Sequence, residues 1–531
     1  MIREISRRKC LRLWLCKPEY MGRTKWENRF VLLRFRKKNY MMFLKDLKRF
    51  KMERLYDKLK AYSESDFYAF HMPGHKRNKA LLGIELPYDL DITEIDGFDD
   101  LHHADGILKE EQERAARVFG AEESHFLVNG STAGILSAVM GCTHRGDKIL
   151  VARHCHKSIY HAIYMNGLVP RYVYPEFDIS MHMNGEISKE DVAKALAAEP
   201  DIKAVVIVSP NYDGVVSDVK GIAEVAHSYR IPLIVDEAHG PHFGFHPAFP
   251  GRANDLGADV VINSLHKTLP SLTQTAILHI NGKLANRRRI KKYLDMLQSS
   301  SPSYIFMASL DACVDFLDGK CEEAFELYVE RLQKFREELK PLQHLQILRT
   351  EHYDISKVVI STANANITSP ELAERLTGEM LSQILRDKYH LEMEMTGGTY
   401  VLAMTTVADT QEGLDRLKAA LLEIDGQLEA KTAVSGSIEI SGELPRLEQY
   451  FTPQEAADRE EDGEAEEIPW KESEGHISLE YAYLYPPGSP VIVPGERISR
   501  EAVELLCYYE TQNLQIEGIQ TEGKIKVWKH E

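Results

Sequence analysis

Lys267 is the residue whose placement most directly suggests chemistry. It follows the apolar run Val260–Ile262 within the segment Asn-Ser-Leu-His-Lys-Thr. A lysine directly after a buried strand is uncommon unless it has a function. Burial lowers the pKa of such an amine, and the neutral amine readily forms an imine. The alternative is a lysine at a strand end that simply reaches solvent.

Asp236 lies one strand–helix unit upstream, where the apolar run Ile234–Val235 leads into Asp-Glu-Ala-His-Gly. A carboxylate at the end of a strand can bind a metal, act as a base, cap a helix, or pair with a cationic ring nitrogen. The small side chain of Ala238 leaves room for a flat ring, and His239 follows it directly. Pairing with a cationic ring nitrogen is the interpretation that pyridoxal-phosphate (PLP) enzymes require, because the carboxylate keeps that nitrogen protonated.

A third segment, Val128–Gly134, contains glycines and hydroxyls and leads into an apolar helix. The free N–H groups at such a helix start can hold a phosphate, with Ser131 and Thr132 adding hydroxyl donors. The alternative is an ordinary serine or threonine cap. Ser264 and His266, next to Lys267, are further candidate donors to a phosphate on the same side.

The fourth segment, Arg153–Ser158, contains two histidines and a cysteine after the strand Lys148–Ala152. His156 could stack on the face of an aromatic cofactor, or it could be a capping histidine. The adjacent His-Cys-His spacing is poor for zinc, so we expect no metal site here.

All four segments follow short apolar runs that alternate with amphipathic stretches between about 87 and 280. This alternation predicts an α/β fold with a parallel, doubly wound sheet, whose ligands bind at the carboxyl ends of the strands. The stretch 274–280 reads as one more strand, and 281–335 as helices interrupted near 299–303. Beyond it, helices are predicted over Thr368–Lys388 and Thr410–Ile424. We therefore expect a large domain over 51–335, a small α+β domain over 336–428 and a C-terminal domain over 429–531, with an acidic linker or exposed helix at 454–474.

Composition narrows the functional class. The net charge is −16, which argues against nucleic acid as the main partner. Seven scattered cysteines without a CxxC pair predict reduced thiols in a cytoplasmic protein. No apolar run is long enough for a membrane span. Residues 1–50 differ, with sixteen Lys/Arg against four Asp/Glu. They are predicted to be a poorly ordered extension, the alternative being an arm for nucleic acid or a membrane surface.

The four segments together resemble the Orn/Lys/Arg decarboxylase family of fold-type I PLP enzymes, and especially its shorter bacterial arginine/lysine decarboxylase-like branch. Five further stretches carry the same resemblance: HMPGHK at 71–76, TEIDGFDDL at 93–101, PNYDG at 210–214, QSSSPSY at 298–304 and YPPGSPVIVPGE at 485–496. The resemblance covers about residues 51–500. It implies a fold-type I large domain with a mostly parallel seven-stranded sheet, and decarboxylation of arginine, lysine or ornithine.

The resemblance also implies a role for each matching residue. Lys267 would hold PLP as a Schiff base, Asp236 would pair with the pyridine nitrogen, and His156 would stack over the ring. The remaining cofactor contacts would come from Ser131, Thr132, Ala238, His239, Ser264 and His266. An aminotransferase or β-eliminating lyase on the same scaffold remains the alternative.

Family members build their active sites at a dimer interface, so the resemblance implies a homodimer or higher homo-oligomer. Ser303 and Tyr304 would then reach the cofactor of the partner subunit. The distal cation of the substrate needs a carboxylate, for which Glu480, Glu496 and Asp213 are unranked candidates.

Overall fold

The computed structural model describes residues 54–178, 183–348, 351–368, 373–430, 444–484, 488–511 and 515–529. These residues belong to one compact unit that runs from Glu53 to Glu531. The basic extension at 1–50 lies outside the described residues. Since the unit is not divided further, the boundaries at 335 and 428 stay predictions.

The chain first forms an arm that packs on the large domain. Helix α1 (Leu55–Ser63) buries Leu55 and Leu59 one helical turn apart, and a 3-10 turn (Lys79–Leu81) and helix α2 (Ile107–Val118) follow. Between α1 and α2 the arm exposes large apolar side chains that include Phe70, 88% exposed, and Leu81, 75% exposed.

The large domain contains a seven-stranded sheet in the order β1-β9-β8-β7-β6-β2-β3. Strands β2, β3, β6, β7 and β8 pair in parallel, and β9 runs antiparallel to its neighbours β1 and β8. The predicted mostly parallel seven-stranded sheet is therefore confirmed. In chain order, with the separate hairpin β4–β5, the strands are β1 (Glu123–Leu127), β2 (Lys148–Ala152), β3 (Val169–Val173), β4 (Phe177–Asp178), β5 (Met183–Asn184), β6 (Val205–Val208), β7 (Leu233–Asp236), β8 (Val260–Asn263) and β9 (Ala276–Ile280).

Helices cover the sheet, as expected for strands such as β6, β7 and β8 that are buried along their whole length. Helix α3 approaches its neighbours so closely that a Cβ on Gly134 would lie 2.6 Å from Leu127 Cδ1 and one on Gly141 would lie 2.5 Å from Ile290 Cγ1. Glycine is therefore required at position 141, where a Cβ would also lie 2.8 Å from the backbone N of Ile290. The helices are α3 (Gly130–Cys142), α4 (Lys157–Met165), α5 (Lys189–Ala198), α6 (Val219–Ser228), α7 (Leu265–Thr268), α8 (Arg287–Leu297) and α9 (Tyr304–Leu317).

A long helix, α10 (Cys321–Glu338), leads into an α+β region with two antiparallel sheets. Its strands are β10 (Gln346–Ile347), β11 (Lys357–Ser361), β12 (Ala365–Thr368), β13 (Ala373–Arg375), β14 (Met395–Thr396), β15 (Tyr400–Met404) and β16 (Glu429–Ala430). Its helices are α11 (Gly378–Tyr389) and α12 (Gln411–Asp425). The α12 prediction is confirmed, with Thr410 as its cap. The predicted helix over Thr368–Lys388 is wrong in its first half, because β13 pairs with β12 there and α11 begins only after the Thr377 cap.

The C-terminal region contains helices α13 (Pro453–Glu461) and α14 (Arg500–Thr511) and a 3-10 turn at Trp470–Glu472. Its strands are β17 (Glu448–Gln449), β18 (Ala465–Pro469), β19 (Ala482–Leu484), β20 (Pro490–Ile492), β21 (Glu496–Arg497), β22 (Ile516–Glu517) and β23 (Lys524–Trp528). The acidic stretch at 454–474 is therefore not only a linker: it forms α13, started by a Thr452/Glu455 capping box, and then β18, paired with β23. Across the described ranges, no helix has the length and apolarity needed to cross a bilayer.

Candidate active site

Asp236 and Lys267 come from neighbouring parallel strands. Asp236 ends β7 in register with Ile262 of β8, and Lys267 lies on the short helix α7 that follows β8. Asp236 is 3% exposed and accepts a hydrogen bond from the Ala238 N–H at 3.1 Å. Burial raises the pKa of this carboxyl, and the positive charge of Lys267 opposes the shift. The two side chains are therefore electrostatic partners, as a pair that holds one cofactor must be.

The Lys267 amine is largely buried, which lowers its pKa, while the negative charges of Asp236 and Glu394 oppose that change. Its Nζ lies 2.8 Å from Nε2 of His239 and 6.0 Å from the centroid of the Tyr212 ring. A lysine whose pKa is lowered by burial has a larger neutral fraction, which is the form that attacks a carbonyl.

His239 lies between two lysines. Its ring is 4.5 Å from that of Tyr212, and its Nδ1 lies 3.3 Å from Nζ of Lys357, a fully buried residue on β11. Burial, followed by the charges of Lys267 and Lys357, holds the pKa of His239 well below its usual value. Lys357 was missed by the sequence reasoning. The only sequence signal for it is a lysine at the start of the apolar run Val358–Ile360.

The predicted phosphate donors have unused hydrogen-bonding capacity. Ser264 is fully buried, and its Oγ has no hydrogen-bond partner in the described part of the chain. Such an orphaned hydroxyl is costly unless a ligand uses it. Nδ1 of His266 lies 2.8 Å from the Thr275 carbonyl oxygen, and burial lowers the pKa of His266.

The start of helix α3 also fits an anion. Its cap, Asn129, makes no side-chain capping bond, and Ser131 and Thr132 in its first turn are both solvent-accessible. Gly130 has a φ of +72°, and no atom lies within 4 Å of the place where its Cβ would be. Together with the orphaned Ser264 hydroxyl, these features fit the phosphate group of PLP.

His156 caps helix α4, so the capping alternative describes its local role: its Nδ1 accepts from the Ser158 N–H at 3.2 Å and lies 2.8 Å from the Ser158 hydroxyl. Burial, followed by the charge of Lys267, lowers the pKa of His156 to about 4. The ring is thus neutral near pH 7 and faces the charge of the candidate cofactor lysine. Among the described residues, no group of three or more His, Cys, Asp and Glu side chains could hold a metal ion.

The two residues expected at a partner's cofactor behave differently. Ser303 caps helix α9 through a bond from the Phe306 N–H at 3.4 Å and is only partly buried. The Tyr304 side chain is fully buried within its own chain and donates to the Asp99 carbonyl at 2.5 Å. The expected contact of Ser303 and Tyr304 with a partner's cofactor stays a prediction.

The three candidate carboxylates for the substrate's distal cation are already engaged. Glu496 accepts two hydrogen bonds from buried Arg153, at 2.7 and 2.8 Å, and Asp213 accepts one from the Tyr400 hydroxyl at 2.7 Å. Glu480 accepts from two backbone N–H groups, those of Gln520 and Lys526.

A fourth carboxylate, Glu394, fits the requirement better. Glu394 is exposed and accepts a hydrogen bond from the Tyr212 hydroxyl. Its negative charge opposes the lowering of the pKa of both Lys267 and Lys357. It directly precedes β14, and no feature of the sequence distinguished it.

Comparison with known proteins places this site in a family. The family model "Orn/Lys/Arg decarboxylase, major domain" matches residues 53–360, which include both Asp236 and Lys267. The chain belongs to the Orn/Lys/Arg decarboxylase family. The model "Orn/Lys/Arg decarboxylase, C-terminal domain" matches residues 442–523, which confirms the resemblance at both ends. The chemistry of this family is PLP-dependent decarboxylation of a basic amino acid.

The curated relatives include "Arginine decarboxylase" of Bacillus subtilis, 33% identical over 87% of this chain and 95% of its own length. "Arginine decarboxylase" of Bacillus anthracis is 32% identical over 90% and 97%. Among solved structures, the constitutive lysine decarboxylase of E. coli superimposes with a TM-score of 0.75 at 21% identity, covering 92% of this chain and 84% of that chain. The similarity to that structure supports the fold alone, and the argument for the chemistry comes from the residues of the site.

Proposed function

We propose that this family member decarboxylates arginine to agmatine and carbon dioxide, with Lys267 as the lysine that holds PLP. The observation that carries the proposal is the buried Asp236–Lys267 pair beside the orphaned Ser264 hydroxyl. The preference for arginine over lysine and ornithine is supported by the relatives with about 32% identity that are named arginine decarboxylase.

PLP supplies an electron sink for the electron pair left behind when the carboxylate departs as carbon dioxide. Buried Asp236 would pair with the protonated ring nitrogen of PLP and keep that sink effective. His156, as a neutral imidazole, would stack on the PLP ring, and the small side chain of Ala238 would leave room for that ring. Ser131, Thr132, Ser264 and His266 would hold the phosphate and so help to position PLP relative to Lys267.

Glu394 binds the distal cation of the substrate in this proposal. It is exposed and lies in the electric field of both lysines of the site, so a cationic side chain that enters the pocket meets a negative charge there. The Tyr212 hydroxyl orients it. A charge-assisted hydrogen bond of this kind contributes about 1.5–3 kcal/mol.

The active form is a cytoplasmic homodimer. The arm between 67 and 86 exposes large hydrophobic side chains, and burying such a surface stabilises association. Thr132 of the phosphate cradle is also exposed in the single chain. A second copy of the chain that covers both features is the occupant we propose.

An equimolar mixture of arginine, lysine and ornithine tests the reaction and the substrate together. The purified protein with PLP should release agmatine as the main amine, with less cadaverine and putrescine, and carbon dioxide equal to the sum of the three amines. A keto acid without carbon dioxide would instead support the aminotransferase alternative. Predominant cadaverine or putrescine would overturn the assignment of arginine and leave the decarboxylase chemistry standing.

Glu394→Gln separates cation binding from chemistry in the same assay. We expect KM for arginine to rise about 10-fold or more, because a charge-assisted hydrogen bond is lost, with a smaller effect on kcat. Glu392→Gln, on an exposed carboxylate of the same segment, is the matched control and should change neither constant. An unchanged KM in Glu394→Gln would remove this residue from the substrate site.

A further inference from the structure

One imidazole joins two amines in this structure. Nε2 of His239 lies 2.8 Å from Nζ of Lys267, and Nδ1 of the same ring lies 3.3 Å from Nζ of Lys357. Lys357 is fully buried, which is costly for a lysine without a function.

The fold holds Lys357 in this position through its backbone and its side-chain stem. Its carbonyl accepts hydrogen bonds from the Tyr353 hydroxyl and from Arg336, both at 2.8 Å. Gly214, with a φ of +105°, packs against the stem so closely that a Cβ there would lie 2.7 Å from Lys357 Cγ. The PNYDG motif thus needs its glycine in order to admit this lysine.

The number of protons on the His239 ring limits the positive charge that the two lysines can carry together. A neutral imidazole has one N–H and one lone pair, and an ammonium can only donate. If both contacts are hydrogen bonds, the amine at the ring N–H must be neutral, because it accepts that proton. The amine at the lone pair is the donor and can be an ammonium. The two lysines therefore carry at most one positive charge between them.

The surrounding charges favour Lys357 as the place for that proton. Burial, together with the charge of Lys267, lowers the pKa of Lys357 to about 8, and three carboxylates that face Lys357 oppose the shift: Asp354, Glu394 and Asp213. Lys267 faces two carboxylates, Glu394 and Asp236, and Asp236 is the one assigned to the ring nitrogen of the cofactor. His156 and His266 also face the His239 ring, and their lowered pKa values keep both uncharged near pH 7.

We propose that Lys357 is a positioning residue that takes the proton of Lys267 through His239 and so leaves Lys267 as the neutral amine that forms the imine. The Nζ proton of Lys267 moves to Nε2 of His239, while the Nδ1 proton of His239 moves to the neutral Nζ of Lys357. Total charge is unchanged. The proposal rests on the assignment of Lys267 as the PLP lysine.

The test measures imine formation rather than turnover. The full-length chain is stripped of cofactor and mixed with PLP over a range of pH, and the growth rate of the imine absorbance band gives a pH midpoint. Lys357→Met removes the proton acceptor and a like charge, so the midpoint should rise by about one pH unit or more. Lys357→Gln is a second neutral replacement with the same expected direction. Asp354 keeps its bonds to His242 and Ser356 in both variants.

Lys357→Arg gives the opposite expectation. A permanent guanidinium donates to Nδ1, so the ring N–H points at Lys267 and holds it neutral, and the midpoint should stay or fall. A role in packing alone would affect all three variants in the same direction. Lys388→Met, on an exposed lysine of helix α11, is the control and should match the wild type.

A double-mutant cycle tests the route through His239. In a His239→Phe background, Lys357→Met should shift the midpoint much less than it does in the wild type. The proposal is overturned if the neutral variants keep the wild-type midpoint, or if Lys357→Arg raises it as they do. A failure of the assigned function looks different, because then no imine band appears in the wild type.

Discussion

Asp236 and Lys267 lie at the ends of two neighbouring parallel strands, both are largely buried, and the charge of each shifts the pKa of the other. The pairing follows from chain topology. Strands β7 and β8 are joined by a crossover, so both deliver their C-terminal residues to the same edge of the sheet. A buried carboxylate opposite a buried amine is the arrangement that a cationic ring bound covalently at the amine requires.

Replacing Asp236 tests its role at the ring nitrogen. Asp236→Asn keeps the size of the side chain but loses its negative charge, so the rate of decarboxylation should fall roughly 10²-fold or more. PLP should remain partly bound, because Lys267 still forms the covalent link. Initial rates and the imine absorbance of the same sample give both numbers. Asp201→Asn, on an exposed loop, is the control, and a near-normal rate in Asp236→Asn would refute the assigned role.

Ser264 offers a test of the phosphate site that does not need turnover. Ser264→Ala should weaken PLP binding about 10-fold or more, the cost of a hydrogen bond to a charged group. The cofactor-free protein should be as stable as the wild type or more so, because an unpaired buried hydroxyl is removed. Equilibrium titration with PLP and thermal melting measure the two effects. Ser137→Ala, which removes a buried serine bonded to Ala133, should leave PLP affinity unchanged. Unchanged PLP affinity in Ser264→Ala would count against the site.

The exposed arm predicts the oligomeric state. The wild-type protein should have twice the mass of one chain in solution, and the paired variant Phe70→Ser/Leu81→Ser should shift towards the monomer because it removes apolar surface from the interface. Sedimentation equilibrium measures both masses. Leu422→Ser, an exposed leucine on helix α12, serves as the control. A monomeric wild type at micromolar concentration would contradict a dimeric active form.

Glu237 predicts a dependence of stability on pH. Burial raises its pKa to about 8 from the ordinary 4.5, while Asn263 and the Ala253 N–H bind the carboxyl. Between these two values the folded carboxyl keeps a proton that the unfolded one has lost. Its contribution to stability is therefore complete below about pH 4.5 and is lost as the pH rises through about 8.

Glu237→Gln removes that titration. The melting temperature of the variant, compared with that of the wild type, should rise steadily between these two pH values. Glu224→Gln on the exposed face of helix α6 should keep the wild-type slope. Parallel melting curves for Glu237→Gln and wild type across this pH range would show that Glu237 is ionised in the folded protein.

The sequence predicted the parts of the site that lie next to one strand end. Asp236, Lys267 and Ser264 could be chosen as candidates because a buried strand and its following turn are contiguous in the chain. Lys357 was missed because the small domain brings it to His239 from 118 positions away. Glu496 was a candidate for binding the substrate cation because local sequence does not reveal that it already has a partner. That partner, Arg153, lies 343 positions away in the chain.

Side-chain direction and strand pairing limited the other predictions. The contact of Tyr304 with a partner's cofactor stays a prediction, and within its own chain the Tyr304 hydroxyl donates to the Asp99 carbonyl. The predicted helix over Thr368–Lys388 failed at its start, because the pairing of Ile367 with Glu374 replaces helical bonds there with a strand ladder. Local propensity does not contain that information.

Reduction of the resting protein with borohydride, followed by peptide mapping, tests the central claim most directly. The treatment fixes a pyridoxyl group on the lysine that carries the cofactor. We predict that this group is found on the peptide containing Lys267, and that Lys267→Ala yields neither the adduct nor carbon dioxide. A pyridoxyl group on Lys357 or on another lysine, with Lys267 unmodified, would contradict it.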